Sequence, residues 1–169
     1  MKYLFKSFNL ISGLVIAIAI RVAFPFRNYK FGRLPSHEIG HYASNVEIYL
    51  CEKEAKIHGD SKNTIEIWYR NPAYAVANKQ LDAMWSRVIK ISNSPIIRYA
   101  DAISRRLPGW PKFSISHHDR DAYGLYGKMQ PHIQFSKSET KQGEDFLDSV
   151  RHVAGQKFVC VTVRDSSYK

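Results

Sequence analysis

The chain has 169 residues, 44% of them hydrophobic, with nine Phe, ten Tyr and three Trp, which excludes a disordered segment and fits one domain with a real core rather than two of average size. Its formal charge of +10 admits nucleic acid, an anionic membrane surface or a phosphorylated substrate. The basic residues Lys2, Lys6, Arg21, Arg27, Lys30 and Arg33 all precede Ser36, where no acidic residue occurs, so the excess gathers beside the most apolar stretch and favours an anionic lipid surface over nucleic acid.

Leu10 to Ile20 form an apolar run broken only by Ser12 and Gly13, and VAFPF continues it past Arg21. A spanning helix needs about 20 apolar residues, and Arg21 falls where its last third should be. The positive flanks and the Ser-Gly interruption make a membrane-seated helix the first expectation and a single span the second. A cleaved signal comes third, because no clear small-x-small site precedes Arg21 and Pro25. An ordinary buried helix is the plain alternative.

Arg27 to Ser36 are rich in turn formers and read as a break. A helix then runs from Ala43 or Asn45 through Glu54, with Asn45 as cap and Val46, Tyr49 and Leu50 on one face; Gly59 supplies its stop. Cys51 falls on this helix and Cys160 in a distant apolar strand, so both read as buried free thiols in a reducing compartment. Thr64 to Tyr69, TIEIWY, alternates and reads as a strand.

Ala77, Leu81, Met84, Trp85 and Val88 recur at helical spacing. Fully burying each large member contributes about 1.5 to 3 kcal/mol, so this helix is expected against a sheet. Ser94 and Pro95 open the next helix as cap and first position, with Ile96, Ala100, Ile103 and Leu107 as its stripe. Gly109 to Pro131 read as a long functional or mobile loop. It carries His117 and His118, for which no third metal ligand has a convincing spacing. Ser136 and Glu139 have capping-box spacing ahead of a helix bearing Phe146, Leu147, Val150 and Ala154, stopped by Gly155. KFVCVTV, Lys157 to Val163, reads as a strand apolar on both faces and leads into Arg164 and Asp165.

Two readings compete for HEIGH, His37 to His41. It fits H-E-x-x-H, in which histidines one helical turn apart bind zinc and the glutamate acts as base. Gly40 lowers helix propensity there by about 1 kcal/mol, and no third histidine follows at the required spacing. In the rival reading a strand-to-helix loop uses Gly40 for close backbone approach and presents the His41 imidazole at a cleft, where the next helix N-terminus favours a phosphate or carboxylate. In the plainest reading His37 and His41 are surface or capping residues.

Five stretches resemble a family of bacterial glycosyltransferases associated with surface polysaccharides. They are IGHYASNVEIYLCEKEA at Ile39 to Ala55, NKQLDAMWSRVIKI at Asn78 to Ile91, RDAYG at Arg120 to Gly124, PHIQFSKSE at Pro131 to Glu139 and FVCVTVRDSSY at Phe158 to Tyr168. The resemblance implies an α/β, Rossmann-like N-terminal domain of a two-domain GT-B-type enzyme behind an apolar membrane-associated helix. It implies a membrane-associated segment over 1–30, an acceptor-side domain over 31–156, and over 157–169 the opening strand of a second, donor-binding domain absent from a truncated chain. The implied partners are a nucleotide sugar, a glycan acceptor and an anionic membrane surface on the cytoplasmic side of the inner membrane. No nucleic acid, metal or permanently bound cofactor is implied.

Carried onto this chain, the family's residues fall on Gly40, His41, Glu47, Asn78, Arg164 and Asp165. His41 is expected to position the acceptor or act as base, with Glu47 as its partner; Gly40, Asn78, Arg164 and Asp165 are expected to bind substrate. Glu38 departs from the family, which has arginine there, and reverses a charge near the expected cleft. The chain is expected to be inactive alone. The alternatives are a zinc metallopeptidase using HEIGH and a noncatalytic membrane-associated interaction protein.

Overall fold

The computed structural model describes residues 2–59, 63–116, 119–150 and 157. His117, His118, Ala154, Gly155, Cys160, Arg164, Asp165 and the expected strand beyond Lys157 lie outside the described residues. The chain divides into two compact units, Met1–Gln134 and Phe135–Lys169.

In the first unit three parallel strands, β1 (Asn28–Leu34), β2 (Thr64–Arg70) and β3 (Ile91–Ser92), form one sheet in that order. Parallel neighbours require crossovers. The helices α2 (Ile39–Glu54) and α3 (Lys79–Val88) supply them, so the α/β class and a Rossmann-like topology hold.

Strand β2 forms where TIEIWY placed it, extended to Arg70, whereas β1 occupies the region expected to be a turn-rich break. NYKFGRL has no β-branched residue and a central glycine, which disguises it. Gly32 is the register partner of Trp68, and a Cβ there would lie 2.5 Å from the indole. The glycine therefore serves a close approach, not a turn. On its other side β1 forms a bridge between Phe31 and Ser114, with the Ile115 N–H donating to the Phe31 carbonyl at 2.8 Å.

Successive strand residues point to opposite faces. Trp68 joins Leu34, Tyr42, Val46, Trp85 and Ile89 in one core, beneath α2 and α3. Its neighbour Tyr69 joins Phe31, Ile20, Ala100 and Phe113 in a second core, beneath α1 (Lys2–Ala23) and α4 (Pro95–Ser104). The apolar N-terminal helix thus packs one flank against this second core.

The cap of α2 is Glu38 rather than Asn45, because the Glu38 carbonyl already accepts the Tyr42 N–H at 2.8 Å. Asn45 sits inside the helix. In α3 the Asn78 side chain accepts the Leu81 N–H at 2.9 Å, and Met84 and Trp85 are buried while Val88 remains 39% exposed. Ser94 and Pro95 begin α4 as expected.

One flank of α1 is buried, with Asn9, Gly13 and Ala17 keeping it slim ahead of Ile20. A Cβ on Gly13 would lie 2.7 Å from the Tyr99 Cβ, so the Ser-Gly interruption is a seat for α4. Arg21, which looked like a break in the apolar run, donates to the Ser104 carbonyl at 3.0 Å and hydroxyl at 3.1 Å. Its guanidinium also lies 4.6 Å from the Phe113 ring centre, completing the C-terminus of α4.

The opposite flank of α1 is unprotected, with Leu4, Phe8, Ile11, Val15, Ile18 and Val22 all at least half exposed. Leu4–Ala23 is long and apolar enough to cross a membrane, and only 22% of the most apolar stretch is buried. That degree of burial is unlike a core helix.

In the second unit α5 (Lys137–Val150) starts with the capping box read from Ser136 and Glu139: the Ser136 N–H donates to the Glu139 carboxylate at 2.6 Å, and the Glu139 N–H to the Ser136 hydroxyl at 3.3 Å.

Candidate functional site

The carboxyl end of a parallel strand is where open α/β sheets bind ligands, and β1 ends in such a place. Arg33, Pro35 and His37 line a cleft of about 430 Å³ with Arg105, Trp110 and Ser114. An adjoining hollow of about 280 Å³ shares Arg33 and Arg105 and adds Arg98, Asn71 and Asp101. Asp101 is 2% exposed, accepts the Tyr69 hydroxyl at 2.6 Å and pairs with Arg105 at 2.9 Å. Burial and the Asp101 carboxylate hold Tyr69 above the usual tyrosine range, so it stays a neutral donor. Among the described residues Arg33 and Arg98 make no ion pair, which leaves two guanidinium groups facing these hollows.

HEIGH is not carried on one helix. His37 and Glu38 precede the first residue of α2, and Glu38 reaches both rings, at 3.1 Å to His37 Nε2 and 3.4 Å to His41 Nε2. Glu38 therefore links the two imidazoles. His37 stacks on Tyr74 with ring centres 4.5 Å apart and lines the cleft, while His41 is exposed on the first turn. A Cβ on Gly40 would meet nothing within 4 Å, so this fold's own packing does not require the glycine. The cap has no side-chain hydrogen bond, leaving first-turn N–H groups of α2 for water or a ligand.

Glu47 does not pair with His41. Six residues apart on a helix, they point to different faces. Glu47 is 7% exposed and faces His132, accepting its backbone N–H at 3.0 Å and lying 3.0 Å from its Nδ1. Cys51 sits one turn on, its sulfur 3.9 Å from Glu47 Oε1. Burial, reinforced by the carboxylates of Glu47 and Glu54, pushes the Cys51 thiol up to about 11.

Asn78 spends its amide oxygen on the cap of α3. Arg164 and Asp165 lie outside the described residues. Arg33, Arg98, Arg105 and Trp110 were not singled out from the sequence, because they converge only once β1, α4 and the turn at Trp110–Phe113 are assembled. The one available signal was the charge excess near Arg33. His132 was visible only inside the PHIQFSKSE stretch.

Compared with protein-family models, curated proteins and solved structures, the chain matches none.

Proposed function

We propose that the chain provides the acceptor-side, Rossmann-like domain of a GT-B-type glycosyltransferase working on a surface glycan at the cytoplasmic side of a membrane. The supporting observation is the cleft at the carboxyl end of β1, where Arg33, Arg105, His37 and Trp110 meet around a volume suited to a sugar bearing an anionic group. Arginines recognise phosphate or carboxylate through planar forks, and the exposed face of Trp110 suits a sugar ring. His41, joined through Glu38 to the cleft-lining His37, is the candidate base for the acceptor hydroxyl, imidazole being the side chain most often used for proton transfer. The exposed flank of α1 and the basic residues around it support seating in an anionic interface.

In this reading donor recognition belongs to a second Rossmann-like domain. The acceptor-side domain is expected to bind an acceptor-like anion in the cleft at β1. Titrating the detergent-solubilised chain with pyrophosphate and with short anionic oligosaccharides tests the cleft: Arg33→Ala with Arg98→Ala should weaken binding about tenfold, the worth of one charge-assisted hydrogen bond. Binding unchanged by that pair would remove the cleft from the proposal. Robust turnover of any nucleotide sugar by the isolated chain would remove the division of labour.

A further inference from the structure

Glu47 and Cys51 lie four residues apart on α2 and so share a face, and the Pro131–Ile133 segment brings His132 across to them. One ligand atom from each lies within 4.8 Å of the other two. Zinc held tetrahedrally at about 2.0 to 2.3 Å places neighbouring N, O and S ligands roughly 3.4 to 3.6 Å apart. The observed 3.0 Å (His132 Nδ1 to Glu47 Oε1) and 3.9 Å (Cys51 Sγ to Glu47 Oε1) bracket that spacing.

We propose that Glu47, Cys51 and His132 form a zinc site with one open coordination position. Glu47 Oε1 already accepts the His132 backbone N–H, while Oε2 is buried and meets no donor. A buried carboxylate oxygen without a partner is an uncompensated cost that a cation removes. Nδ1 of His132 stands 3.0 Å from Oε1, the other oxygen of that carboxylate, a contact that either a ring N–H or a cation bound to both atoms closes. On the other side of the ring, Nε2 lies 3.4 Å from the Glu54 carboxylate. That is the arrangement in which a metal-bound imidazole gives its remaining N–H to an outer carboxylate.

The donor set of thiolate, imidazole and carboxylate selects a borderline-soft ion and disfavours magnesium or calcium. A cavity of about 210 Å³, lined also by Ala43, Tyr126 and Met129, opens onto the site and leaves the fourth position to water or a small ligand. The site shares no residue with HEIGH or with the cleft at β1, and it stands whether or not the chain takes part in glycosyl transfer.

The test uses the full chain without an affinity tag, in detergent, stripped of metal by a chelator and titrated with Co²⁺ and then Zn²⁺. One Co²⁺ should bind with a thiolate-to-cobalt charge-transfer band and be displaced by one Zn²⁺. Cys51→Ser should abolish the band, whereas Cys160→Ser and His37→Ala should leave it intact. Glu54→Gln, on an exposed side chain, should keep the band and weaken affinity about tenfold. No Co²⁺ binding at micromolar metal, binding without the band, or a band that follows Cys160 or His37 would overturn the site. The first two of those outcomes need no variant and stand even if Cys51→Ser fails to fold. They would leave His132 as a histidine set between the Glu47 and Glu54 carboxylates.

Discussion

Trp68 lies flat over Gly32, so adding a single methyl group to β1 forces either the indole or the strand to move. Overpacking of this kind costs about 1 to 3 kcal/mol. Gly32→Ala should therefore lower the denaturation midpoint with a matching red shift of tryptophan emission. An unchanged midpoint would mean that Trp68 has another rotamer available. Asp121 offers a residue-scale pH effect: its two carboxylate oxygens accept the Leu125 and Tyr126 N–H groups at 2.9 and 2.8 Å, which holds its pKa below the usual value. With the folded pKa depressed, the contribution is present above the unfolded value of about 3.9 and fades as pH falls through the folded one. Exchange of the Leu125 and Tyr126 amides should thus speed up relative to their intrinsic rates below about pH 4, and Asp121→Asn should flatten that dependence. Neither Gly32 nor Asp121 was legible as such in the sequence. A glycine signals a turn or a close approach equally well until its partner strand is known, and an Asx-type loop requires the chain to double back.

Helix α1 carries two stripes with different tasks. Asn9, Gly13 and Ala17 are small enough for α4 to approach closely, and Leu4, Phe8, Ile11, Val15, Ile18 and Val22 form an outward seam. Ile11→Glu with Ile18→Glu, changing only the seam, should shift the chain from the membrane to the soluble fraction with its circular dichroism preserved. Persistence in the membrane pellet would show that the seam is not what holds it there. The apolar character of this helix was plain from the sequence, but its double role was not. Arg21 read as an interruption because its partner, the end of α4, comes 83 residues later. Where a capping signal and an apolar period agreed locally, as at Ser94 with Pro95 and at Ser136 with Glu139, the element began where expected. At α2 the polar Asn45 misled, since the ladder starts a turn earlier on the Glu38 carbonyl.

At the scale of the molecule, the α/β class expected from the resemblance is borne out by the parallel order β1, β2, β3, with α2 and α3 between them in the chain. The candidate sites were harder to read, because each is assembled from segments far apart in the chain. Glu47 meets His132 across 85 residues and Arg21 meets Ser104 across 83, distances over which spacing carries no information. Helix periodicity alone could have separated His41 from Glu47, six positions apart. The Arg21 clasp has a further implication. Arg105, next to the carbonyl that Arg21 holds, is one of the two arginines that line both hollows at the mouth of the sheet. If α1 rests in a lipid headgroup layer, the mouth is carried at a fixed height above it with no flexible tether between. An acceptor borne on a lipid would then reach the cleft by lateral diffusion, a search in two dimensions instead of three.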